Sequence, residues 1–418
     1  CLEMREMKNS GVAWVGAMPE DWTVKRGKFT LKLLNRPVKD TDDVITCFRD
    51  GEVTLRTNRR TDGFTFSVKE IGYQGIETGD LVIHGMDGFA GSIGISDSRG
   101  KSSPVLVVCD TDENKRYIMY YLRSMAYNNV FTALSTGIRV RSCDLRWNKL
   151  AELPYILPSF IEQDKIVSAI ESSTSKVDVL IANVQAQIEK LKAYKQSLIT
   201  EVVTKGLDPN APMKDSGVEW IGTIPTAWNT VRVKQLLKER KERSSDGKEE
   251  PLSMSQKVGL VPTKMLGAIP NMASTFVGAK LTHVDDLVFN KLKAHLGVFS
   301  VSKYDGLVSP DYAVYYSTGV ANLKYLEYLF KTPQCISEFR KRSTGIAAGL
   351  TRLYTEGLFA IECPLPPKKE QHRIVLYLNE KCAQIDKLTA IKQTKIEKLE
   401  QYKRSLIYEY VTGKKEVV

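Results

Sequence analysis

Two long amphipathic segments dominate the hydrophobic pattern of the chain. In the first, apolar residues recur at steps of three, four or seven, the spacing of one helix face, and the second repeats this stripe. The first stripe consists of Ile166, Ile170, Val177, Leu180, Val184, Ile188, Leu191 and Leu198, and the second of Ile374, Leu378, Ile385, Leu388, Ile396, Leu399 and Leu406. The pattern predicts two long helices with coiled-coil-like spacing.

The boundaries of these helices are also marked in the sequence. Ser159 and Glu162 have the spacing of a capping box, which predicts a helix start, and we expect the two helices to end near Gly206 and Gly413. A helix of this kind would be about 68 Å long, too long to bury its stripe against one small domain. We therefore expect an antiparallel coiled coil with the globular parts at opposite ends. The alternative is that each helix folds back on its own domain.

The chain is a tandem repeat. The segment from Met7 to Trp22 recurs as Met213 to Trp228 with nine of its sixteen residues identical, and IEKLKAYKQSLI recurs as IEKLEQYKRSLI. Residues 29–79 and 235–285 show little relation to each other. Because the shared phrases Trp-x-Gly-x-x-Pro-x-x-Trp open both halves, we assign them to a common framework, with the tryptophans buried as anchors.

The remaining pattern predicts a mixed α+β fold. Short apolar runs at 80–83, 105–109, 287–290 and 313–316 indicate strands, and 117–126 and 323–331 indicate helices. The expected fold is two mixed α/β domains joined by two long helices that form an antiparallel coiled coil, with pseudo-two-fold repeat symmetry. We place the domains at 1–152 and 207–362 and the helical segments at 153–206 and 363–418.

Composition narrows the class of protein. The 418 residues carry a net charge of +11, which is compatible with nucleic acid but does not require it. Seven cysteines without a C-x-x-C motif, and no apolar run long enough for a membrane, favour a cytoplasmic protein. Because the sequence opens at Cys1, we expect the natural start to lie upstream, or at Met4 or Met7.

Tests for catalytic chemistry are negative. Gly94 and Gly100 are one residue too far apart for a P-loop, so we interpret residues 94–103 as a hairpin turn. The N-P-P-Y or D-P-P-Y motif of amino-methylating DNA methyltransferases does not occur in the sequence. The spacing of Cys363, His372 and Cys382 fits no zinc pattern. We expect no metal site, no catalytic residues and no enzyme activity in this chain.

Polar loops supply candidate DNA-binding groups, because arginine, lysine, asparagine and glutamine recognise base edges and phosphates. In the first half these are Arg56, Asn58, Arg59, Arg60, Ser135, Thr136, Arg139 and Arg141. In the second half they are Ser255, Gln256, Lys257, Asn290, Lys291, Lys293, His295, Arg342, Ser343 and Thr344. Each loop alone is also compatible with an ordinary solvated surface, and the recurrence in both halves favours nucleic acid.

These features together resemble the specificity subunit of a Type I restriction–modification system. The resemblance rests on the paired Trp-x-Gly-x-x-Pro-x-x-Trp openings, the D-L-V strand followed by NKLKAHLGV and SPDYAVY, and the STGI segment. It also rests on LP followed by EQ-x-x-IV and a long helix that ends Y-K-x-S-L-I. The first half departs from it, with IHGMDGFAG where the second has FNKLKAHLG. That departure leaves the contacts of the first domain less defined.

The resemblance implies two target-recognition domains that each recognise one half of a bipartite site in double-stranded DNA. It also implies two DNA methyltransferase (modification) subunits and restriction/translocase subunits as partners. S-adenosylmethionine, ATP and Mg would belong to those partners, with no cofactor in this chain. The alternatives are a DNA methyltransferase or nuclease with degenerate motifs, or a coiled-coil scaffold that binds only protein.

Overall fold

The chain forms two compact units. The computed structural model describes residues 5–59, 70–133, 145–256, 258–267, 276–345 and 351–417. Unit 1 comprises Cys1–Gln185 and Gln393–Val418, and unit 2 comprises Ala186–Lys392. The division falls inside both long helices, so each unit contains one half of each helix.

Unit 1 is built from short antiparallel strands and one central helix. Its strands are β1 (Met7–Asn9), β2 (Ala17–Pro19), β3 (Thr23–Arg26), β4 (Lys32–Leu33), β5 (Ile45–Cys47), β6 (Val53–Leu55), β7 (Gln74–Ile76), β8 (Leu81–His84), β9 (Ile93–Ile95), β10 (Gly100–Ser102), β11 (Leu106–Asp110) and β12 (Pro154–Leu157). Its helices are α1 (Lys115–Tyr127), α2 (Val130–Ala133), α3 (Trp147–Glu152) and the first half of α4 (Phe160–Lys205). The largest sheet has the strand order β4-β11-β8-β9.

Both faces of this sheet are covered, as the alternation of its side chains requires. Leu81 and Ile83 of β8 pack into the cluster that contains α1, whereas Val82 packs on the opposite face with Ile45 and Val53 of the hairpin β5–β6. The predicted strands and helices of the globular parts are present, each within a few residues of its expected bounds.

Unit 2 repeats this order of elements. Its strands are β13 (Met213–Asp215), β14 (Thr223–Pro225), β15 (Asn229–Arg232), β16 (Leu237–Glu239), β17 (Leu252–Ser255), β18 (Gly259–Pro262), β19 (Lys280–Thr282), β20 (Leu287–Asn290), β21 (Phe299–Val301), β22 (Gly306–Val308), β23 (Tyr312–Ser317) and β24 (Glu362–Leu365). Its helices are α5 (Val233–Leu236), α6 (Leu323–Phe330), α7 (Pro333–Arg342), α8 (Thr355–Phe359) and most of α9 (Lys368–Val411). The main sheet, β16-β23-β20-β21, matches that of unit 1 strand for strand.

The repeated opening phrase anchors each long helix. Trp22 and Trp228 are almost fully buried, and their indole Nε1 atoms donate to Glu162 and Glu370 at 3.1 and 2.9 Å. The predicted burial is therefore confirmed for Trp22 and Trp228, whereas Trp14 and Trp220, also predicted as buried anchors, are only half-buried. Only half of the predicted capping box forms: Ser159 Oγ accepts from the Glu162 backbone N–H at 3.3 Å, but the Glu162 carboxylate binds Trp22 and Arg5 instead.

The repeated D-L-V motif has a structural role as well. Asp286 is buried, and Arg240 binds it through two hydrogen bonds of 2.7 and 2.9 Å. Asp286 also accepts the His283 backbone N–H at 2.8 Å, which closes the turn before β20. Arg36 and Asp80 form the corresponding pair in unit 1. Each pair neutralises a buried carboxylate beneath the sheet.

The two long helices have the predicted length and ends. Helix α4 has 46 residues and α9 has 44, and both are followed by a glycine in the left-handed region, Gly206 at φ +82° and Gly413 at φ +71°. Gly413 is required twice over, because a Cβ there would also meet Pro19 Cδ at 2.3 Å.

The prediction of a buried position is wrong for two members of the stripe. Leu180 and Leu388, which occupy the same place in the repeat, are about half exposed, at 49% and 48%. The physical reason is the helix period: Val177, Ile181 and Val184 continue one face at steps of four and three, and Ile181 packs into the core of unit 1. Leu180 lies beside that face.

The helices run antiparallel where they pack together. In unit 2, Gln187 contacts Lys392 at 2.5 Å and Lys195 contacts Asp386 at 2.7 Å. Residue numbers therefore increase along one helix as they decrease along the other. In unit 1 the repeat counterpart of that ion pair joins Asp178 and Lys403, also at 2.7 Å. The predicted antiparallel pair is confirmed.

The helix stripes are not buried against the partner helix alone. Val202 and Val203 of α4 belong to the core of unit 2 together with Trp228, whereas Ile166 and Ile170 of the same helix belong to the core of unit 1. Each long helix is therefore a core element of both units. Among the described residues, no helix is long and apolar enough to cross a membrane.

The expected hairpin at residues 94–103 is wrong. Strand β9 pairs with β8, whereas β10 pairs with β7 in a separate two-stranded sheet. Arg99, between β9 and β10, binds Asp42 at 2.9 Å and also pairs with Glu77. These two ion pairs fix the segment that connects the two sheets. In a hairpin, β10 would instead have paired with β9.

Candidate nucleic-acid interface

The predicted contacts of unit 1 lie on and after the hairpin β5–β6. Arg56 is half-buried and directs its Nε towards Thr46 Oγ1 at 3.4 Å, and Asn58 donates to Thr54 Oγ1 at 2.7 Å. Both side chains are therefore held against the hairpin by neighbouring threonine hydroxyls. Arg60, Ser135, Thr136, Arg139 and Arg141 lie outside the described residues.

Arg59 has strong internal partners. Its Nη1 donates to Asp50 at 2.7 Å and to Glu52 at 2.8 Å, and its guanidinium lies 4.2 Å from the ring centre of Phe48. The hydrogen bond with Asp50 raises the pKa of Arg59. An arginine held in this way must leave two carboxylates before it binds phosphate, so we expect it to contribute less affinity than its sequence suggests.

In unit 2 the candidate residues of segment 290–296 form a compact turn after β20. Asn290 Oδ1 accepts the backbone N–H groups of Leu292 and Lys293 at 3.1 and 3.3 Å. Lys291 and His295 are half-buried, whereas Lys293 is exposed. The turn thus uses the oxygen of Asn290 for its own closure and presents the lysines at the surface.

Other predicted segments of unit 2 contact this turn. Gln256 donates to the carbonyl of Leu296 at 3.1 Å, which joins the end of β17 to the turn, while Ser255 is the last residue of that strand. Leu353 donates its backbone N–H to the carbonyl of Lys291 at 3.0 Å. Lys257 lies outside the described residues.

The end of helix α7 reaches the same region. The backbones of Thr344 and Arg352 pair with each other, next to Leu353. Arg342 is paired with Glu338, and Ser343 Oγ donates to the Phe339 carbonyl at 2.7 Å. The structure therefore brings segments 255–256, 290–296 and 342–344 together on one side of unit 2.

Equivalent positions of the two units carry different chemistry. The hairpin contact between Thr46 and Arg56 in unit 1 corresponds to a 2.8 Å contact between Ser253 Oγ and Thr263 Oγ1 in unit 2. The repeat counterpart of Lys291 is Gly85, whose carbonyl accepts the Leu145 N–H at 2.9 Å in the same way. One backbone framework thus presents two different side-chain surfaces.

Sequence reasoning missed Lys280, which faces the same region from β19. Its Nζ donates to the carbonyl of Tyr312 at 2.7 Å, and only 12% of its side chain is exposed. Burial lowers the pKa of Lys280, and the nearby positive charges of Lys291 and Arg243 lower it further. Lys280 lies in the segment that differs between the two halves and belongs to no periodic pattern, so the sequence does not distinguish it from other surface lysines.

Two residues tested above as zinc ligands, and the additional histidine His283, have ordinary structural surroundings. Cys363 is buried in β24, where burial raises the pKa of its thiol to about 12, and His372 is exposed, with Nδ1 3.3 Å from the Asn322 amide. His283 lies between Glu242 and Asp305, at 3.0 and 3.3 Å, and the hydrogen bond to Glu242 raises its pKa. Within the described ranges, no group of three His, Cys, Asp or Glu side chains is placed to hold a metal ion.

Whole-chain comparison identifies relatives of this architecture. The MjaX specificity subunit of a type I restriction enzyme from Methanocaldococcus jannaschii is 23% identical, over 99% of this chain and 98% of the relative. The MjaVIII specificity subunit of a type I restriction enzyme from the same organism is 22% identical, over 95% of this chain and 93% of the relative. This chain is a homologue of type I restriction enzyme specificity subunits. No protein-family model matches it.

A solved structure shares the fold of this chain. A chain from a solved structure on the complex assembly and conformational transition of the type I R-M system superposes with a TM-score of 0.67. That match covers 94% of this chain and 98% of the other, at 14% sequence identity. The common architecture therefore persists where most side chains have changed, as the two units of this chain also show.

Proposed function

We propose that this chain is the non-catalytic, sequence-specific DNA-binding subunit of a type I restriction–modification complex. The observation that carries the proposal is the combination of two units of one fold with different side chains at equivalent surface positions. Such a pair recognises two different half-sites, so the whole site is bipartite and asymmetric. The whole-length relatives named as specificity subunits support the same conclusion.

We assign recognition to residues 1–152 and 207–362, and spacing of the half-sites to the helical segments 153–206 and 363–418. The candidate side chains given above for the two halves would contact the duplex. Lysines and arginines would supply phosphate contacts, and amide and guanidinium groups would distinguish bases, at about 1–3 kcal/mol for each good bidentate pair. The basic net charge of +11 supports this assignment.

The helices also carry features that suit docking of two identical partner subunits. Tyr194 and Tyr402 are repeat counterparts, and each is more than half exposed, at 58% and 54%. They lie within the repeated phrases IEKLKAYKQSLI and IEKLEQYKRSLI. Exposed aromatic residues kept in both copies are expected where the same partner binds twice. The partners would be two DNA methyltransferase subunits, joined by restriction/translocase subunits.

In this proposal the chemistry belongs to the partners. S-adenosylmethionine would be bound by the methyltransferase subunits, and ATP and Mg by the restriction/translocase subunits. This chain would supply binding and orientation, because DNA recognition alone needs no cofactor.

The experiment that tests the function is a methyl-transfer assay on duplex DNA. The purified chain, the methyltransferase subunit from the same host and their mixture are each incubated with labelled S-adenosylmethionine and genomic DNA that lacks this methylation. We expect transfer only in the mixture. Turnover by the chain alone would show that it is itself a methyltransferase, and a mixture without turnover would contradict the proposed assembly.

A further inference from the structure

Lys280 of unit 2 occupies an unusual place for a lysine. Its strand, β19, pairs with β22, and its side chain is mostly buried. The ammonium donates one hydrogen bond, to the Tyr312 carbonyl at 2.7 Å, while the carboxylate of Glu239 lies 4.0 Å away. Since an ammonium has three N–H groups, this arrangement leaves donors for a further acceptor.

Two other basic residues lie near Lys280. Arg243 is bridged to Lys280 through the backbone. Lys291 directly follows Asn290, which pairs with Tyr312, the residue whose carbonyl Lys280 binds, and the positive charge of Lys291 lowers the pKa of Lys280. The two nearest acids have other partners: Glu239 accepts from Thr355 Oγ1 at 2.9 Å, and Asp311 lies 3.5 Å from Arg352. A partly buried ammonium beside other cations is costly unless an anion joins them.

Unit 1 shows that the fold does not need this charge. At the corresponding position Gln74 donates its Nε2 to the carbonyl of Leu106 at 3.1 Å, and Leu106 is the repeat counterpart of Tyr312. The counterpart of Lys291 is Gly85, where a Cβ would meet the Val105 carbonyl oxygen at 2.9 Å. A neutral amide thus performs the structural task in unit 1, and the lysine pair is particular to unit 2.

We propose that Lys280 and Lys291 together bind one phosphate group of the DNA backbone in unit 2. The proposal rests on the proposed function, because it takes a DNA duplex as the ligand. Glu239 stands at 4.0 Å, beyond hydrogen-bond distance, so a phosphate would be the anion that accepts the remaining N–H groups of the ammonium. Lysine acts on a phosphate as a compact point charge with freely oriented donors. Because unit 1 has Gln74 and Gly85 at these positions, it lacks this particular phosphate contact.

The test is the Lys280→Gln variant of the full chain, purified with its partner subunits. Glutamine is the residue that unit 1 uses at this position, so the hydrogen bond to the Tyr312 carbonyl is kept and only the charge is removed. Binding is measured over a range of NaCl concentrations with two probes. One is a random-sequence duplex, and the other is a duplex that carries the motif methylated by the complex in its host. Lys303→Gln, which removes an exposed charge from the turn between β21 and β22, is the matched control.

We expect Lys280→Gln to reduce the slope of log K against log[salt] by up to about 0.9, the value for one phosphate, with Lys291 retaining part of the contact. It should weaken binding to both duplexes by the same factor. Lys303→Gln should leave the slope unchanged. If Lys280→Gln had the same slope and affinity as the wild type, the phosphate site would be overturned. The proposed function would stand in that case, as long as the wild-type protein binds the duplex. A loss of affinity for the motif duplex alone would show that Lys280 contacts a base, and would overturn the phosphate assignment. Wild-type protein that binds neither duplex would overturn the proposed function and this site with it.

Discussion

Replacing Trp228 with alanine is expected to lower the free energy of unfolding by about 3–5 kcal/mol. The indole is fully buried in the core of unit 2, and its loss also removes the 2.9 Å hydrogen bond to Glu370 at the start of α9. The cavity and the unpaired carboxylate act together, so the effect exceeds that of an ordinary core substitution. Urea denaturation followed by circular dichroism measures it.

Trp220 provides the control for this result, because it belongs to the same phrase but is only partly buried. Trp220→Ala should cost clearly less than Trp228→Ala. Trp22→Ala in unit 1 should cost less than Trp228→Ala but more than Trp220→Ala, because Glu162 keeps its ion pair with Arg5. A loss below about 1 kcal/mol for Trp228→Ala would contradict the anchoring role of the phrase.

Replacing Val177 with aspartate is expected to lower the free energy of unfolding by at least about 3 kcal/mol, because it places an unpaired charge in an apolar helix contact. Val177 is 4% exposed and packs in the core of unit 1. Leu180→Asp, only one turn away, should change the free energy by no more than about 0.5 kcal/mol, since its side chain is half exposed. Thermal unfolding of the two variants in parallel provides the comparison.

This pair of substitutions decides which residues form the buried face of α4. If Leu180→Asp proved as damaging as Val177→Asp, the seven-residue spacing predicted from sequence would describe the packed face better than the structure does. If both were harmless, α4 would not be a core element of unit 1.

The long helices were the part of the fold most open to prediction. Ser159 before the first turn, and Gly206 and Gly413 after the last, mark their ends through backbone requirements that act locally. The assignment of Leu180 failed because a leucine one step from a buried face satisfies a coiled-coil spacing as well as the true face does. Only the surroundings distinguish the two positions.

The divergent inserts were the part least open to prediction. Residues 29–79 and 235–285 share almost no sequence, yet the hairpins β5–β6 and β17–β18 occupy the same place in the two units. Short strands need only a few alternating apolar residues, so their pattern disappears among polar substitutions. The carboxylate of Glu162 could not be assigned to Trp22 from sequence either, because a capping box explains the same residue.

For the candidate DNA-binding site, the sequence indicates which residue types are available. Which of those residues lie next to one another is known only from the structure. Gln256 is distant in sequence from the turn at 290–296, and it binds that turn through the carbonyl of Leu296. Arg59 appears in sequence as a free arginine, and its pairing with Asp50 and Glu52 depends on the hairpin that brings them together. Lys280 is distinguished only when its surroundings are compared with those of Gln74.

The central claim is that two units of one fold recognise two different halves of a DNA site. Sequencing that detects methylated adenines across the host genome, with and without the gene for this chain, tests it most directly. The account predicts a bipartite asymmetric motif with an unread gap of fixed length, which loses its methylation when the chain is absent. A methylation pattern that persists without the chain, or a single uninterrupted motif, would contradict it.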